Sequence, residues 1–69
     1  MNGDDMTVEY FDDPGMVHMI GALCIPAKRL TEHVEFMGKQ LCKIRKLDAV
    51  EVRVYDFEGN LTDQMTVYR

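Results

Sequence analysis

A single stretch of this sequence carries helical periodicity, so the rest of any core has to come from strands. Leu30, Val34, Met37, Leu41 and Ile44 recur in steps of four, three, four and three, which keeps them on one stripe of an α-helix. The opposite side of the Lys28–Lys46 segment holds Lys28, Glu32, Glu35, Lys39, Lys43 and Lys46. Glu35 and Lys39 stand in the favourable i,i+4 order, and the bases at 39, 43, 45 and 46 suit the negative end of the helix dipole. Gly38 interrupts the stripe at a cost of about 1 kcal/mol relative to alanine, and it reads as a place where another backbone comes close.

The segments on either side have strand character. Met6 to Phe11 is short and rich in β-branched and aromatic residues, and Asp12-Asp13-Pro14-Gly15 reads as a turn. Met16 to Ile25 is a continuous apolar run, which suits a buried strand or a buried helix. Asp13-Pro14 fits a helix start, but Gly21 in the interior and Pro26 after Ile25 favour a strand. Apolar on both faces apart from His18, such a strand is expected in the centre of the sheet.

Asp48 to Arg69 reads as a β-hairpin. Val50, Val52 and Val54 alternate with Glu51, Arg53 and Tyr55, the pattern of a half-buried strand. A two-residue Gly59-Asn60 turn would set Val54 opposite Met65, Val52 opposite Val67 and Asp56 opposite Asp63. A three-residue loop would oppose Val54 with Gln64. The expected fold is therefore α+β in the order ββαββ, with one amphipathic helix on one face of a mainly antiparallel four-stranded sheet. Met1 to Asp5 has nothing to pack it down and is expected to fray.

At 69 residues with 46% hydrophobic and 29% charged residues, the chain is expected to form one domain, since it is too short for two cores. A core this small typically supplies only about 3–5 kcal/mol of net stability, which raises the expectation of self-association. Cys24 and Cys42 match no zinc or redox spacing, and the N-terminus lacks the features of a signal peptide. A cytoplasmic protein with two core thiols is the expectation, a Cys24–Cys42 bridge the alternative. The longest apolar run, Met16 to Ile25, is half of what a membrane span needs.

Charge is uneven. Residues 1–27 carry five acids and no Lys or Arg, residues 28–46 six bases and two acids, and residues 47–69 five acids and two bases, for a net charge of −4. A basic helix is flanked by acidic segments.

Catalytic chemistry finds little support. His18 and His33 have no metal-ligand spacing and read as packed or exposed residues. Asp12, Asp13, Asp4, Asp5, Asp56, Glu58 and Asp63 match no calcium loop. Cys24 or Cys42 paired with a histidine lacks the third member of a nucleophilic site. Serine is absent, and the five glycines at 3, 15, 21, 38 and 59 form no phosphate cradle. The reading is therefore of a protein that is not an enzyme and requires no cofactor or metal.

A sheet with one helix has a second face. In the expected hairpin that face carries Glu51, Arg53, Tyr55 and Phe57 on one strand and Thr62, Gln64, Thr66 and Tyr68 on the next. Aromatic residues and Arg are enriched at interface hot spots, so Arg53, Tyr55, Phe57 and Tyr68 are the candidate partner-binding residues. The expected function is that of a small acidic protein-protein interaction module, a modulator or inhibitor of a larger partner by surface occlusion, with self-association into a homo-oligomer. In size and charge it is analogous to proteins that phages and other mobile elements direct against host enzymes or defence systems. The alternatives are nucleic-acid binding through the basic helix or aromatic face, disfavoured by the acidic balance, and a structural subunit of a homo-oligomer.

Overall fold

The computed structural model describes residues 5–69. Met1 to Asp4, most of the expected frayed start, lie outside the described residues, whereas Asp5 already pairs with Pro26. Strands β1 (Asp5–Phe11) and β2 (Met19–Pro26) are followed by a short 3-10 turn at Ala27–Arg29, helix α1 (Leu30–Arg45), and strands β3 (Ala49–Tyr55) and β4 (Leu61–Tyr68). The sheet is antiparallel throughout, in the order β2-β1-β3-β4. This is the α+β, ββαββ arrangement that the periodicities predict.

Cross-strand partners share a face, so the registers define two faces. Val8 and Tyr10 of β1, Val50, Val52 and Val54 of β3, Ile25 of β2 and Val67 of β4 meet Val34 and Cys42 of α1 in one buried cluster. The helix ends as Lys46 turns left-handed, φ 57°, and Leu47 N–H donates to the Cys42 carbonyl at 2.8 Å.

The Met16 to Ile25 run yields a strand, as favoured, but over Met19–Pro26, and it lies at the edge of the sheet and not in its centre. Apolar composition reports that a strand can be buried on both sides, and here, among the described residues, nothing covers its outer edge. Two expectations change with it. Cys24 is exposed on the face away from the helix, while Cys42 is buried beneath it. Both are free thiols on opposite sides of the sheet, so no bridge joins them. The helical stripe is also rotated from the one expected. Val34, Gly38 and Cys42 form the buried row, and Ile44 is 73% exposed, because it stands two residues beyond Cys42 and hence well around the helix.

The C-terminal hairpin keeps the expected face but not the expected register. Val52 pairs with Met65, Val50 with Val67, and Val54, not Asp56, with Asp63. The loop is three residues, Phe57-Glu58-Gly59, closed by Asp56 N–H to the Asn60 carbonyl at 2.9 Å and Gly59 N–H to the Asp56 carbonyl at 3.0 Å. One carboxylate oxygen of Asp56 accepts from the Asn60 and Glu58 amides at 2.9 and 3.0 Å, and those bonds, the Asn60 amide foremost, hold this carboxyl below its ordinary range. An odd loop would invert the faces. Thr62 restores them as an extra residue between Leu61, which pairs with Tyr55, and Asp63, and its hydroxyl donates to the Val54 carbonyl at 3.2 Å. Gly59 has φ +90°, and a Cβ there would touch nothing within 4 Å. Gly59→Ala therefore tests backbone strain alone, and it is expected to lower stability by about 1 kcal/mol in urea denaturation.

Candidate protein-binding surface

The face of the sheet turned away from α1 is built in cross-strand rows. Cys24, Thr7, Tyr55 and Leu61 make the row nearest the hairpin loop. Ala22, Glu9, Arg53 and Gln64 make the next, and Met19, Phe11, Glu51 and Thr66 the one after that. Tyr68, opposite Ala49, lies at the far end. Among the described residues no element packs over these rows.

The four residues singled out from the sequence do not form one patch. Tyr55 is half-buried beside Leu61, which is itself exposed. Phe57 is not on the strand face but in the loop just beyond that pair, where it is 56% exposed. Tyr68 is 68% exposed, but it stands seven residues along β4 from Leu61, a span of roughly 23 Å. Its carbonyl accepts a 3.2 Å hydrogen bond from Lys39 Nζ, which ties the end of β4 to the helix.

Arg53 has a different position again. Its guanidinium carbon lies 5.9 Å above the centroid of the Phe11 ring, and its Nε is buried without a hydrogen-bond partner among the described residues. Phe11 is only 6% exposed although it belongs to the face away from the helix. Arg53 thus acts as a roof over Phe11, a cation–π arrangement worth about 0.5–1 kcal/mol when part-exposed. Glu9 is its direct cross-strand partner. Glu51 accepts a hydrogen bond from the Thr66 hydroxyl at 2.9 Å. The two carboxylates around a single Arg give the middle of this face an acidic balance.

Leu61 was missed in the sequence because the expected register placed no apolar residue opposite Tyr55. Nothing short of locating the extra residue at Thr62 would have revealed it.

The loop between β1 and β2 gathers a second group. Asp12, Asp13 and His18 lie with their ligand atoms within 4.8 Å of one another, and His18 Nδ1 is 3.9 Å from an Asp12 carboxylate oxygen. Asp13 has a structural use for its oxygen, accepting from the amides of Val17 at 3.2 Å and His18 at 3.4 Å. Partial desolvation pushes its carboxyl up, but the hydrogen bonds donated by the backbone amides of His18, Val17 and Gly15 outweigh that and hold it below its ordinary range. Asp56 and Glu58 gather separately around Asn60 in the hairpin loop. The acids weighed together as one cation site are therefore dispersed, and Asp4 lies outside the described residues.

No helix is long and apolar enough to cross a membrane among the described residues. Comparison with protein-family models, with curated proteins and with solved structures finds no match to this chain. The chemistry of the surface carries the functional reading.

Proposed function

We propose that this chain is a protein-binding module that acts by covering a surface of a larger partner, with the hairpin end of the open face as its contact. The observation that supports this reading is the Tyr55–Leu61 pair, left uncovered by α1, with the exposed Phe57 directly beyond it. Aromatic side chains presented on a rigid strand bury a large area at little cost in side-chain freedom, which is why they dominate interface energetics. Arg53 and Tyr68 then play lesser parts, the first by keeping Phe11 covered and the second at the rim.

The net charge of −4 favours a basic surface on the partner and steers the encounter more than it strengthens the complex. The protein works by occlusion and not by catalysis, in the cytoplasm, in the manner of small mobile-element proteins that block a host enzyme or defence system. That last analogy rests on size and charge.

The test is affinity capture followed by assay. The chain is expected to retain one dominant protein, and Tyr55→Ala combined with Leu61→Ala is expected to weaken that complex at least a hundredfold, about 3 kcal/mol, with circular dichroism unchanged. Added to the captured protein's own assay, the wild-type chain lowers its activity and the double variant does not. Equal affinity of a folded double variant for the captured protein would remove the basis for this surface. Affinity that collapses with salt and is lost on Lys43→Ala would instead indicate nucleic acid.

A further inference from the structure

The two edges of the sheet are unlike. β4 carries the devices that discourage pairing with another chain: an extra residue at Thr62, the charge of Asp63, and a run of polar residues. β2, Met-Ile-Gly-Ala-Leu-Cys-Ile-Pro, has no charge on either face. Its irregularity is confined to the Met19–Gly21 end, beside Phe11, which leaves Gly21–Ile25 as a regular edge whose outward backbone groups are unpaired among the described residues. An uncharged, regular edge is what pairs with another strand.

The helix also leaves β2 short of cover. α1 is drawn toward the opposite edge, where Gly38 touches Val67 and Lys39 reaches the Tyr68 carbonyl. Ile20 and Leu23 consequently stay only partly buried although they pack against the core. On the other face Ala22 and Cys24 are exposed.

We propose that β2 is the self-association edge of this protein: two copies join β2 to β2 antiparallel about a two-fold axis, making one eight-stranded sheet with both helices on the same side. The charges at the ends of β2 favour a second copy over an unrelated strand. β2 is preceded by Asp12 and Asp13 and followed by Lys28 and Arg29, both exposed in the 3-10 turn. Antiparallel self-pairing brings the acidic end of each copy beside the basic end of the other, twice, whereas parallel pairing would set like charges together. The strand itself adds no repulsion between two chains that each carry −4. Paired in this way, β2 becomes the interior strand that its composition describes. The contact is small, so it belongs to the weak, concentration-dependent class.

Sedimentation and light scattering across the micromolar to millimolar range are expected to show the mass rising from 8.0 kDa toward twice that value. Ala22→Lys places a charge at the exposed edge near the axis and is expected to weaken the dimer at least tenfold. Lys28→Glu with Arg29→Glu is expected to weaken it as well, most clearly at low salt. A short bis-maleimide is expected to couple two wild-type copies through the exposed Cys24 and to leave Cys24→Ala uncoupled, a readout that does not depend on how Ala22→Lys folds. The double variant Tyr55→Ala, Leu61→Ala is expected to dimerise normally, which separates this edge from the partner-binding face. A mass that stays at one chain throughout, absence of Cys24 coupling, or undiminished dimerisation by a folded Ala22→Lys protein would each overturn the proposal.

Discussion

Gly38→Ala is expected to destabilise the fold by about 1–3 kcal/mol, although alanine is the better helix former. In an exposed helix the same change gains about 1 kcal/mol. Here a Cβ would stand 2.7 Å from Val67 Cγ1, 2.8 Å from its Cβ and 3.1 Å from its Cγ2. Rotating the Val67 side chain exchanges its two methyl groups but does not move the Cβ. Val67 cannot withdraw either, because it is held in the ladder opposite Val50. The helix has to lift from β4, which loosens the Cys42 Sγ to Val67 carbonyl contact at 3.9 Å and the Lys39 to Tyr68 hydrogen bond. Overpacking of this kind costs about 1–3 kcal/mol, a large part of what so small a core supplies.

Urea denaturation at constant m-value reads the effect, with about 4–8 °C of lost thermal midpoint per kcal/mol in a domain of this size. Gly38→Leu is expected to exceed it and leave most of the chain unfolded. In a Gly38→Ala background, Val67→Ala is expected to cost less than it does in the wild type, since the two positions share one contact. A Gly38→Ala protein more stable than the parent would mean that α1 does not press on β4, and the uneven cover over β2 would lose its cause.

Gly38 also marks the boundary of what periodicity can report. A lone glycine in a helical stripe signals a close approach, and the sequence placed it correctly, but the neighbour is the Val67 side chain and not a backbone. The helix, the four strands and the inward face of Val50, Val52 and Val54 were all legible, since each depends on spacing along one segment. Strand order depends on which edges meet, and no local spacing encodes that. Hence the Met16 to Ile25 run read as central, and the strand it forms, Met19–Pro26, lies at an edge.

The hairpin register failed for a related reason. A shift of two residues keeps every side chain on its face, so alternation cannot distinguish Val54 opposite Met65 from Val52 opposite Met65. The difference lies in Asp56, whose carboxylate holds the loop, and in the extra residue at Thr62. That error moved Phe57 into the loop and hid Leu61 from the candidate site. Ile44 satisfied the helical spacing and still faces solvent, because the stripe is centred on Val34, Gly38 and Cys42, two of which are too small to stand out in a hydrophobic pattern.

Tyr10→Phe is expected to stabilise the protein by about 1 kcal/mol and to remove much of its alkaline sensitivity. Tyr10 is fully buried on β1 between Val52 and Gly21, and its hydroxyl has no hydrogen-bond partner among the described residues. Gly21 leaves room beside the ring, with Leu41 of the helix close by. A buried donor without a partner gives up its hydrogen bonds to water on folding, at a cost of about 1–3 kcal/mol, so deleting the oxygen recovers more than the small void loses. Burial also pushes the phenol from 10.0 up to about 12. Because the folded value is the higher one, its contribution is complete below pH 10. As pH rises from there to about 12, the unfolded chain loses its proton first and stability falls, by roughly 3 kcal/mol across that window. Urea midpoints at a series of pH values from neutral to strongly alkaline, compared between wild type and Tyr10→Phe, isolate this contribution from the lysines. Parallel curves, or a phenylalanine variant less stable at neutral pH, would show that the hydroxyl is satisfied in solution. The ring lies under the helix, on the opposite side of the sheet from Tyr55 and Leu61, so the substitution is expected to leave partner capture and β2 pairing intact while the domain itself becomes harder to unfold.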